Sequence, residues 1–399
     1  MPGTAATTAP TLRQLLPFAA LSASYFAHIG FFNPYLPLWL KGLGLDLLVI
    51  SLLISMQSAT RLFAPYIWGW LSDHTGERVK LLRYGASAAL LVALGLWWAR
   101  SPWPLAAVLL LMFTHTSGMM PMSEAAMTHL VSHGGQLDAK RYGRMRLCGS
   151  VGFLVTVFAA GAWFQQRGMA DFPAWTVLTL VLVTLCTWWL PDTKEPMATD
   201  AAPVAIAPVL RQPVVRWFLA SAFFHVLSHA GVYFFFSLYL DALGYSKTLI
   251  GVLWAVSVIV EIGWFFTQAR WLPHLSLTGW LVLCSATMAL RMGLTAAWAD
   301  TLAVLLLAQA LHAITFATHH TVCVTLLGQH FAGRLRGRGQ ALYTVVAYGL
   351  SGVLGGLAGG VLSQHYGLGS VFTAAIGISF VATGCAWRVH RLSRPVHGQ

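Results

Sequence analysis

Apolar segments long enough to cross a lipid bilayer recur along the whole chain, and they limit what it can fold into. A transmembrane helix needs about 20 predominantly apolar residues. Twelve stretches reach that length; they lie near 15–38, 47–70, 81–99, 103–128, 144–166, 172–191, 214–240, 247–270, 276–297, 301–327, 339–364 and 369–388. Only 9% of the 399 residues are charged, whereas about a quarter of an ordinary soluble domain is charged. The sequence therefore predicts an all-α membrane protein with twelve transmembrane helices, called spans 1 to 12 below.

Basic residues predict the orientation of the spans. With the N-terminus in the cytoplasm, roughly 18 of the 24 Lys and Arg residues fall in cytoplasmic segments, about four outside and about two in the membrane. The outer four are Lys41, Arg100, Arg167 and Lys247, and the buried two are Arg61 and Arg291. We expect a multi-pass protein of a bacterial cytoplasmic (inner) membrane with both termini in the cytoplasm. The formal charge of +12 is dispersed and forms no basic patch for nucleic acid.

The cysteines and the N-terminus give no sign of metal chemistry or of a cleaved leader. All five cysteines lie in apolar segments without a Cys-x-x-Cys pair, so we expect neither a disulfide framework nor a zinc site. The N-terminal MPGTAATTAPTLRQLL lacks the basic region and cleavage site of a removable signal peptide.

A polar, Pro- and Ala-rich stretch divides the spans six and six. This stretch, 192–213, predicts a cytoplasmic linker between an N-terminal six-helix bundle over 1–191 and a C-terminal six-helix bundle over 214–399.

The two halves also resemble each other. LWLKGLGLDLLVISLLI at Leu38–Ile54 is matched by LYLDALGYSKTLIGVLW at Leu238–Trp254, in register at an offset of 200. At the same offset, Arg61 falls opposite Glu261. Parallel six-helix repeats indicate a transporter whose site lies between the halves at mid-membrane.

Glu261 is the ionisable residue that most needs an explanation. It lies in GVLWAVSVIVEIGWFF, Gly251–Phe266, which is apolar on every face. A carboxylate at that depth costs roughly 2.5–3.5 kcal/mol on insertion scales, so a partner, a proton or a water-filled cavity must offset the cost. Two interpretations are open: a structural ion pair with an Arg of a neighbouring span, or a proton or substrate site, the usual role of intramembrane ionisable residues.

The loop after span 2 reads GWLSDHTGERVKLL. Its spaced Gly, Asp, Gly and basic positions are Gly69, Asp73, Gly76, Arg78 and Lys80. This pattern resembles the loop signature of the major facilitator superfamily. The resemblance implies the major facilitator fold and a gating role, not substrate binding, for Asp73 and Arg78.

Spans 4 and 5 carry a second resemblance. Pro121–Glu124 reads P-x-x-E, and Tyr142–Phe153 reads YGRMRLCGSVGF. Both motifs resemble the lactose permease group and, more closely, the phenylpropionate permease branch of the superfamily. The resemblance implies that Glu124 and Arg146 contact the substrate and that Phe153 stacks on it. A guanidinium also suits Glu124 as an ion-pair partner, with anchoring at the membrane face as the alternative for Arg146.

Further candidates lie in spans 1, 7 and 8. His28 is either a core residue or a residue that lines the cavity. Asn33 lies beside prolines, which either free backbone carbonyls that line a cavity or mark an ordinary helix end. His225 and His229 share one helix face, but a metal site would need further ligands, so lining or core positions fit better. Trp254 belongs to a G-x-L-W-x-x-x-V-x-x-E pattern that resembles the phenylpropionate permease branch.

Spans 9 and 10 offer basic partners for Glu261. Arg291 cannot lose its charge and so requires a nearby anion or cavity. His312 and Thr315 are spaced i, i+3 and share a face. The matching motif in the sugar permeases is His-x-x-Glu, whose Glu carries the proton, and Thr315 takes its place here. Either the protein is not proton-coupled or Glu261 has taken over that task; the otherwise unexplained charges favour the second.

Six glycines in span 11 indicate a helix that packs closely or rocks against its neighbours. They are Gly349, Gly352, Gly355, Gly356, Gly359 and Gly360. Small residues at this spacing let helices approach each other.

Together these features predict a secondary transporter, a symporter that takes up a small organic solute with a proton by alternating access. The proton-coupling residues would be Glu261, Arg291 and His312. The solute-binding residues would be Glu124, Arg146, Phe153, His28, Asn33, Trp254, Thr315 and His229. We expect a monomer in the lipid bilayer, with no cofactor besides the proton as coupling ion.

Other functions fit less well. The sequence shows no nucleophile–base, metal-ligand or phosphate-loop constellation of an enzyme, and a channel would need a pore ring. An exporter (antiporter) of the same fold remains the alternative. The aromatic residues suit an aromatic acid, a sugar or a nucleoside equally, because all three can stack on them.

Overall fold

The computed structural model describes residues 12–133, 136–137, 139–192 and 205–393, with side chains described except at 12–14, 128–146 and Arg334. Twelve of its helices are long and apolar enough to cross a membrane, which confirms the predicted architecture. Spans 1 to 6 are Leu15–Gly42, Leu47–Thr75, Arg78–Trp97, Pro102–Met127, Leu147–Arg167 and Met169–Trp189. Spans 7 to 12 are Pro213–Ala242, Lys247–His274, Leu277–Trp298, Leu302–His330, Arg336–Tyr366 and Gly369–Leu392. Short elements outside the spans include the paired strands Ser132–His133 and Gln136–Leu137, the helix Ala207–Leu210 and the 3-10 turn Gly333–Leu335.

Spans 2 and 8 begin in the same way, 200 residues apart. Gly44 and Gly244 have φ angles of 82° and 86°, a left-handed backbone conformation that favours glycine. Two residues later, the carboxylate of Asp46 accepts a hydrogen bond from a first-turn N–H at 2.8 Å. The hydroxyl of Ser246 accepts the equivalent bond at 3.2 Å. Each side chain satisfies a free N–H at the helix start, so the repeat seen in the sequence is present in the backbone.

Several spans are not continuous α-helices. Span 2 stops after Thr60 and resumes at Ala64, with Pro65 in the first turn of the second segment. Spans 7, 10 and 11 contain π-helical segments at Gly231–Phe235, Ala313–Thr318 and Thr344–Leu350. Such segments occur frequently at functional sites.

The described chain forms two compact units, each with its own apolar core. The first contains Phe63–Ala159, and the second contains Asn33–Leu62 and Ala160–Met169 together with the C-terminal half of the chain. Buried residues of the first core include Trp68, Leu82, Met122 and Val183. Buried residues of the second core include Phe218, Leu281, Cys323 and Phe331.

The predicted linker lies between two well-defined spans. Span 6 ends at Trp189 and span 7 begins at Pro213. Residues 193–204 of the linker lie outside the described residues.

Glycines of span 11 pack against serines of span 2. A Cβ atom added at Gly352, Gly356 or Gly360 would collide with Ser58, Ser55 or Ser51, respectively. The glycines recur every four residues and the serines every three or four. The contacts therefore form a continuous line, the seam, along one face of each helix. The prediction that these glycines serve close helix packing is confirmed.

Candidate functional site

Arg291 of span 9 lies at the centre of a buried polar cluster in the second unit. Its side chain is 1% exposed. Nη1 lies 3.1 Å from His229 Nε2 and 3.2 Å from His312 Nδ1. The same nitrogen donates to Thr315 Oγ1 at 3.1 Å, and Nη2 donates to Gln309 Oε1 at 3.0 Å. Spans 7, 9 and 10 thus meet at one guanidinium group.

Glu261 of span 8 reaches this cluster through His312. Its Oε2 lies 3.4 Å from His312 Nε2, and its side chain is 22% exposed, against 10% for that of His312. Because the other ring nitrogen of His312 faces Arg291, the three side chains form a row with the imidazole in the middle. The structure therefore brings together the three residues predicted to couple the proton, with Glu261 at the accessible end.

Aromatic rings cover two sides of the cluster. Phe316 stacks on His312 with ring centroids 4.8 Å apart and an interplanar angle of 7°. Tyr233 stacks on His229 at 4.7 Å and 6°. Tyr233 lies in the π-helical segment of span 7, and Phe316 lies in that of span 10. These ring pairs fix the orientation of both imidazoles, because an aromatic pair adds about 0.5–1.5 kcal/mol.

The π-helical segment of span 10 is held by another histidine of span 7. His225 Nε2 donates to the carbonyl oxygen of Thr315 at 2.7 Å, and its ring stacks on His319 at 3.7 Å. Both rings are buried, so they act as packing that fixes Thr315. In the described part of the chain, no three His, Cys, Asp or Glu side chains are arranged to hold a metal ion.

Two neutral tyrosines complete the surroundings of Glu261. Tyr233 and Tyr348, in the π-helical segments of spans 7 and 11, each interact electrostatically with both Arg61 and Glu261. Arg61 and Glu261, which match at the offset of 200, therefore lie near the same pair of tyrosines.

Among the described partners of Arg291, all are neutral acceptors or histidines and none is a carboxylate. Its Nε–H is buried without a hydrogen-bond partner. A buried cation is costly unless an opposite charge is near, and here the acid stands one imidazole away. Arg291 thus contacts polar acceptors directly, and the carboxylate of Glu261 lies on the far side of His312.

Trp254 and Asn33 have hydrogen-bond partners of their own in the second unit. Trp254 Nε1 donates to Ser237 Oγ at 3.0 Å. Gln57 Nε2 donates to Asn33 Oδ1 at 3.3 Å. Neither residue contacts the Arg291 cluster through these bonds.

Other predicted solute-binding residues lie in the first unit. His28 is 4% exposed, and its Nδ1 lies 2.9 Å from Thr179 Oγ1. Phe153 packs with its backbone against Gly30, where an added Cβ would lie 2.6 Å from the Phe153 carbonyl oxygen. Glu124 is half-buried. The side chain of its predicted partner Arg146 lies outside the described residues.

The predicted gating pair is assembled at the start of span 3. Arg78 Nη2 lies 3.4 Å from Asp73 Oδ1, and Arg78 Nε donates to Ser72 Oγ at 3.0 Å. Gly76, with φ of 67°, ends the helix before the loop, a left-handed position that few other residues adopt without strain. The loop signature therefore produces a compact turn closed by an ion pair.

Sequence reasoning missed Gln309, which accepts a hydrogen bond from Arg291. A signal was present, since Gln309 is an uncharged polar residue in an apolar run, three positions before His312. Helical spacing places the two residues on one face. The π-helical segments had no comparable signal in the sequence.

Comparisons with known proteins agree with this architecture. Residues 20–374 match the model of the MFS_1 like family. The chain is 28% identical over 361 residues to the probable 3-phenylpropionic acid transporter of Escherichia coli (strain K12), which covers 88% of this chain and 92% of that protein. It is 26% identical over 335 residues to the maltose permease of Geobacillus stearothermophilus, 81% of each protein. A crystal structure of a mutant nucleoside transporter NupG aligns with a TM-score of 0.79 at 15% identity, over 96% of this chain and 100% of that one.

Proposed function

The chain belongs to the MFS_1 like family, its relatives are membrane transporters and not enzymes, and we propose that it takes up a small organic solute together with a proton. Glu261 is the proposed proton-carrying group. The solute is proposed to bind beside the Arg291 cluster. Alternating access moves both across a membrane in which the two chain termini face the cytoplasm.

The observation that supports proton coupling is the position of Glu261. It is a carboxylate in the apolar middle of span 8, partly exposed, with His312 at 3.4 Å as its described contact. Intramembrane acids of this kind mark proton or ion pathways. Thr315 is already a hydrogen-bond acceptor for Arg291 and has no titratable group, which leaves Glu261 as the acid of this cluster.

An aromatic acid is the proposed solute class, ahead of a sugar or a nucleoside. The described surroundings of Arg291 hold positive charge without a contacting carboxylate. Stacked rings on His312 and His229 provide flat apolar surfaces. A relative with 28% identity is named a probable 3-phenylpropionic acid transporter, and its solute combines these two properties.

Reconstituted vesicles test coupling and solute class together. We expect an imposed inward proton gradient to drive accumulation of a labelled aromatic acid, but not of a labelled sugar or nucleoside. Glu261→Gln should abolish accumulation and retain solute exchange, because exchange needs no net deprotonation. Asp300→Asn is the matched control, since Asp300 is an exposed acid at the end of span 9.

Two outcomes would contradict the proposal. Accumulation against a gradient by Glu261→Gln would show that Glu261 is not the carrier. Proton-driven expulsion of the solute, instead of uptake, would identify an exporter of the same fold.

A further inference from the structure

We infer that Arg291 is a positioning residue that holds two neighbouring histidines in opposite neutral tautomers, so that His312 offers an N–H to Glu261 and does not carry the transported proton itself. This inference rests on the proposed function, because it assigns a role within the same site. It assigns a separate role to each coupling residue: Glu261 carries the proton, His312 donates a hydrogen bond to it, and Arg291 fixes the tautomer of His312.

The argument starts from the hydrogen-bond chemistry of arginine. A guanidinium group has five N–H donors and no acceptor. Nη1 carries two of these N–H groups and also faces Thr315 Oγ1 at 3.1 Å, so its three neighbours share two hydrogens. A ring nitrogen at this distance must still present a lone pair, because a ring N–H would point at the N–H groups of the guanidinium. His312 faces Arg291 with Nδ1 at 3.2 Å, and His229 faces it with Nε2 at 3.1 Å. The proton of neutral His312 is thus on Nε2, and the proton of neutral His229 is on Nδ1.

The Nε2 proton of His312 points at the acid of span 8. This nitrogen lies 3.4 Å from Glu261 Oε2. A second proton on His312 would sit on Nδ1, facing an N–H of Arg291 and placing two positive charges in contact. The cation thereby opposes formation of an imidazolium at His312.

In the described part of the chain, the His312 ring has polar contacts with Arg291 and Glu261. His229 stands edge-on to it at 5.5 Å between ring centroids, and Phe316 stacks on its face. Glu261 and Arg61 of span 2 each lie near Tyr233 of span 7 and Tyr348 of span 11.

A fixed donor suits an acid that gains and loses a proton. A carboxylate and a carboxylic acid both present an oxygen that can accept from His312. Glu261 can therefore change its protonation state from its exposed side without a rearrangement of His312. The proton enters and leaves at Glu261, and the imidazole fixes the position of the carboxyl group.

Nitrogen-15 NMR of histidine-labelled protein in bilayers tests the tautomers directly, with signals assigned from single histidine substitutions. We expect His312 as the neutral Nε2–H form and His229 as the neutral Nδ1–H form. Arg291→Lys keeps a cationic donor and should keep both forms. Arg291→Met removes the donor and should shift at least one of them. An imidazolium or an Nδ1–H form at His312 in the unsubstituted protein overturns the inference, whether or not Arg291→Met folds.

Transport by two His312 variants gives an independent readout. The amide nitrogen of glutamine can occupy the place of Nε2, whereas asparagine is too short to reach Glu261. Because His312 borders the proposed solute site, proton-driven accumulation is divided by solute exchange measured in the same variant. We expect this ratio to be retained in His312→Gln and lost in His312→Asn. The reverse order overturns the inference. Accumulation by Glu261→Gln, in contrast, would end the proposed function and leave the tautomer result standing.

Discussion

At the scale of single residues, the contacts of His28 distinguish a role in core packing from a role in solute binding. Its Nδ1 lies 2.9 Å from Thr179 Oγ1, which itself donates to the carbonyl oxygen of Trp175 at 2.9 Å. Thr179 therefore accepts from His28. Phe31 and Phe32 flank the buried imidazole. These contacts favour the core interpretation of His28 over the solute-binding one.

Thr179→Val tests that interpretation. It leaves the buried His28 N–H without an acceptor, which should cost about 1–3 kcal/mol. We expect a lower Tm and an unchanged solute Kd in detergent. Thr325→Val is the control, because Thr325 makes a similar helix-internal bond at an exposed position. A weakened solute affinity with an unchanged Tm would instead place His28 at the solute site.

The sequence predicted which ionisable residues meet in the Arg291 cluster, but not their order in space. Glu261, Arg291 and His312 are ionisable groups in three consecutive apolar spans, so the cost of burying each one predicted that they would meet. The order in which His312 separates the other two depends on the rotation of three helices about their axes, which spacing along one chain does not specify. The Glu124–Arg146 pair stays a prediction, since Arg146 lies outside the described side chains.

At the scale of helices, the seam between spans 2 and 11 predicts a compensating pair of substitutions. A Cβ at Gly356 would lie 2.5 Å from Ser55 Cβ, while its next neighbouring residue, Ser51, is at an ordinary 3.4 Å. Gly356→Ala should therefore destabilise the protein by about 1–3 kcal/mol through overpacking. Ser55→Gly removes the colliding atom and should restore the Tm of Gly356→Ala.

Gly377→Ala is the matched control for thermal unfolding, because Gly377 is a helical glycine with no atom near its added Cβ. Its Tm should stay equal or rise, since alanine favours helix by about 0.8–1.0 kcal/mol over glycine. If Gly356→Ala behaves like this control, the two helices are not packed at that seam.

The helices themselves were predictable from apolar length, but their interruptions were not. In lipid, every backbone polar group must be satisfied within the segment, so a long apolar run has few alternatives to a helix. In span 2, Pro65 was a sequence signal for the break. The run AITFAT in span 10 contains neither proline nor glycine, yet it forms a π-helical segment. Its carbonyl contact with His225 belongs to tertiary packing, which local sequence does not encode.

At the scale of the whole molecule, the repeat brings equivalent positions into contact. Lys41 and Asp241 are 200 residues apart, and Lys41 Nζ lies 3.0 Å from Asp241 Oδ2. Lys247 Nζ lies 3.6 Å from the other carboxylate oxygen, and Tyr35 donates to the Lys247 carbonyl at 3.0 Å. These residues join the end of span 1 to the ends of spans 7 and 8, on the side that the charge distribution predicts to face outward. The repeat was visible in the sequence, but this contact was not predicted from it.

Exchanging the two charges tests whether this contact biases the transport cycle. Lys41 is 42% exposed, and an exposed ion pair stabilises by about 0.2–1 kcal/mol. A contact of that strength, made in only one conformation, changes a two-state population by a few-fold and does not abolish function. We expect Lys41→Asp and Asp241→Lys each to change the rate of solute uptake by roughly twofold to fivefold, because like charges then face each other. The double substitution should return the rate towards that of the original chain, since it restores an acid–base pair at the same positions. If both single variants and the double variant transport at the original rate, the ion pair is either present in every conformation or energetically neutral. If the losses of the two single variants add in the double variant, the two side chains do not interact with each other.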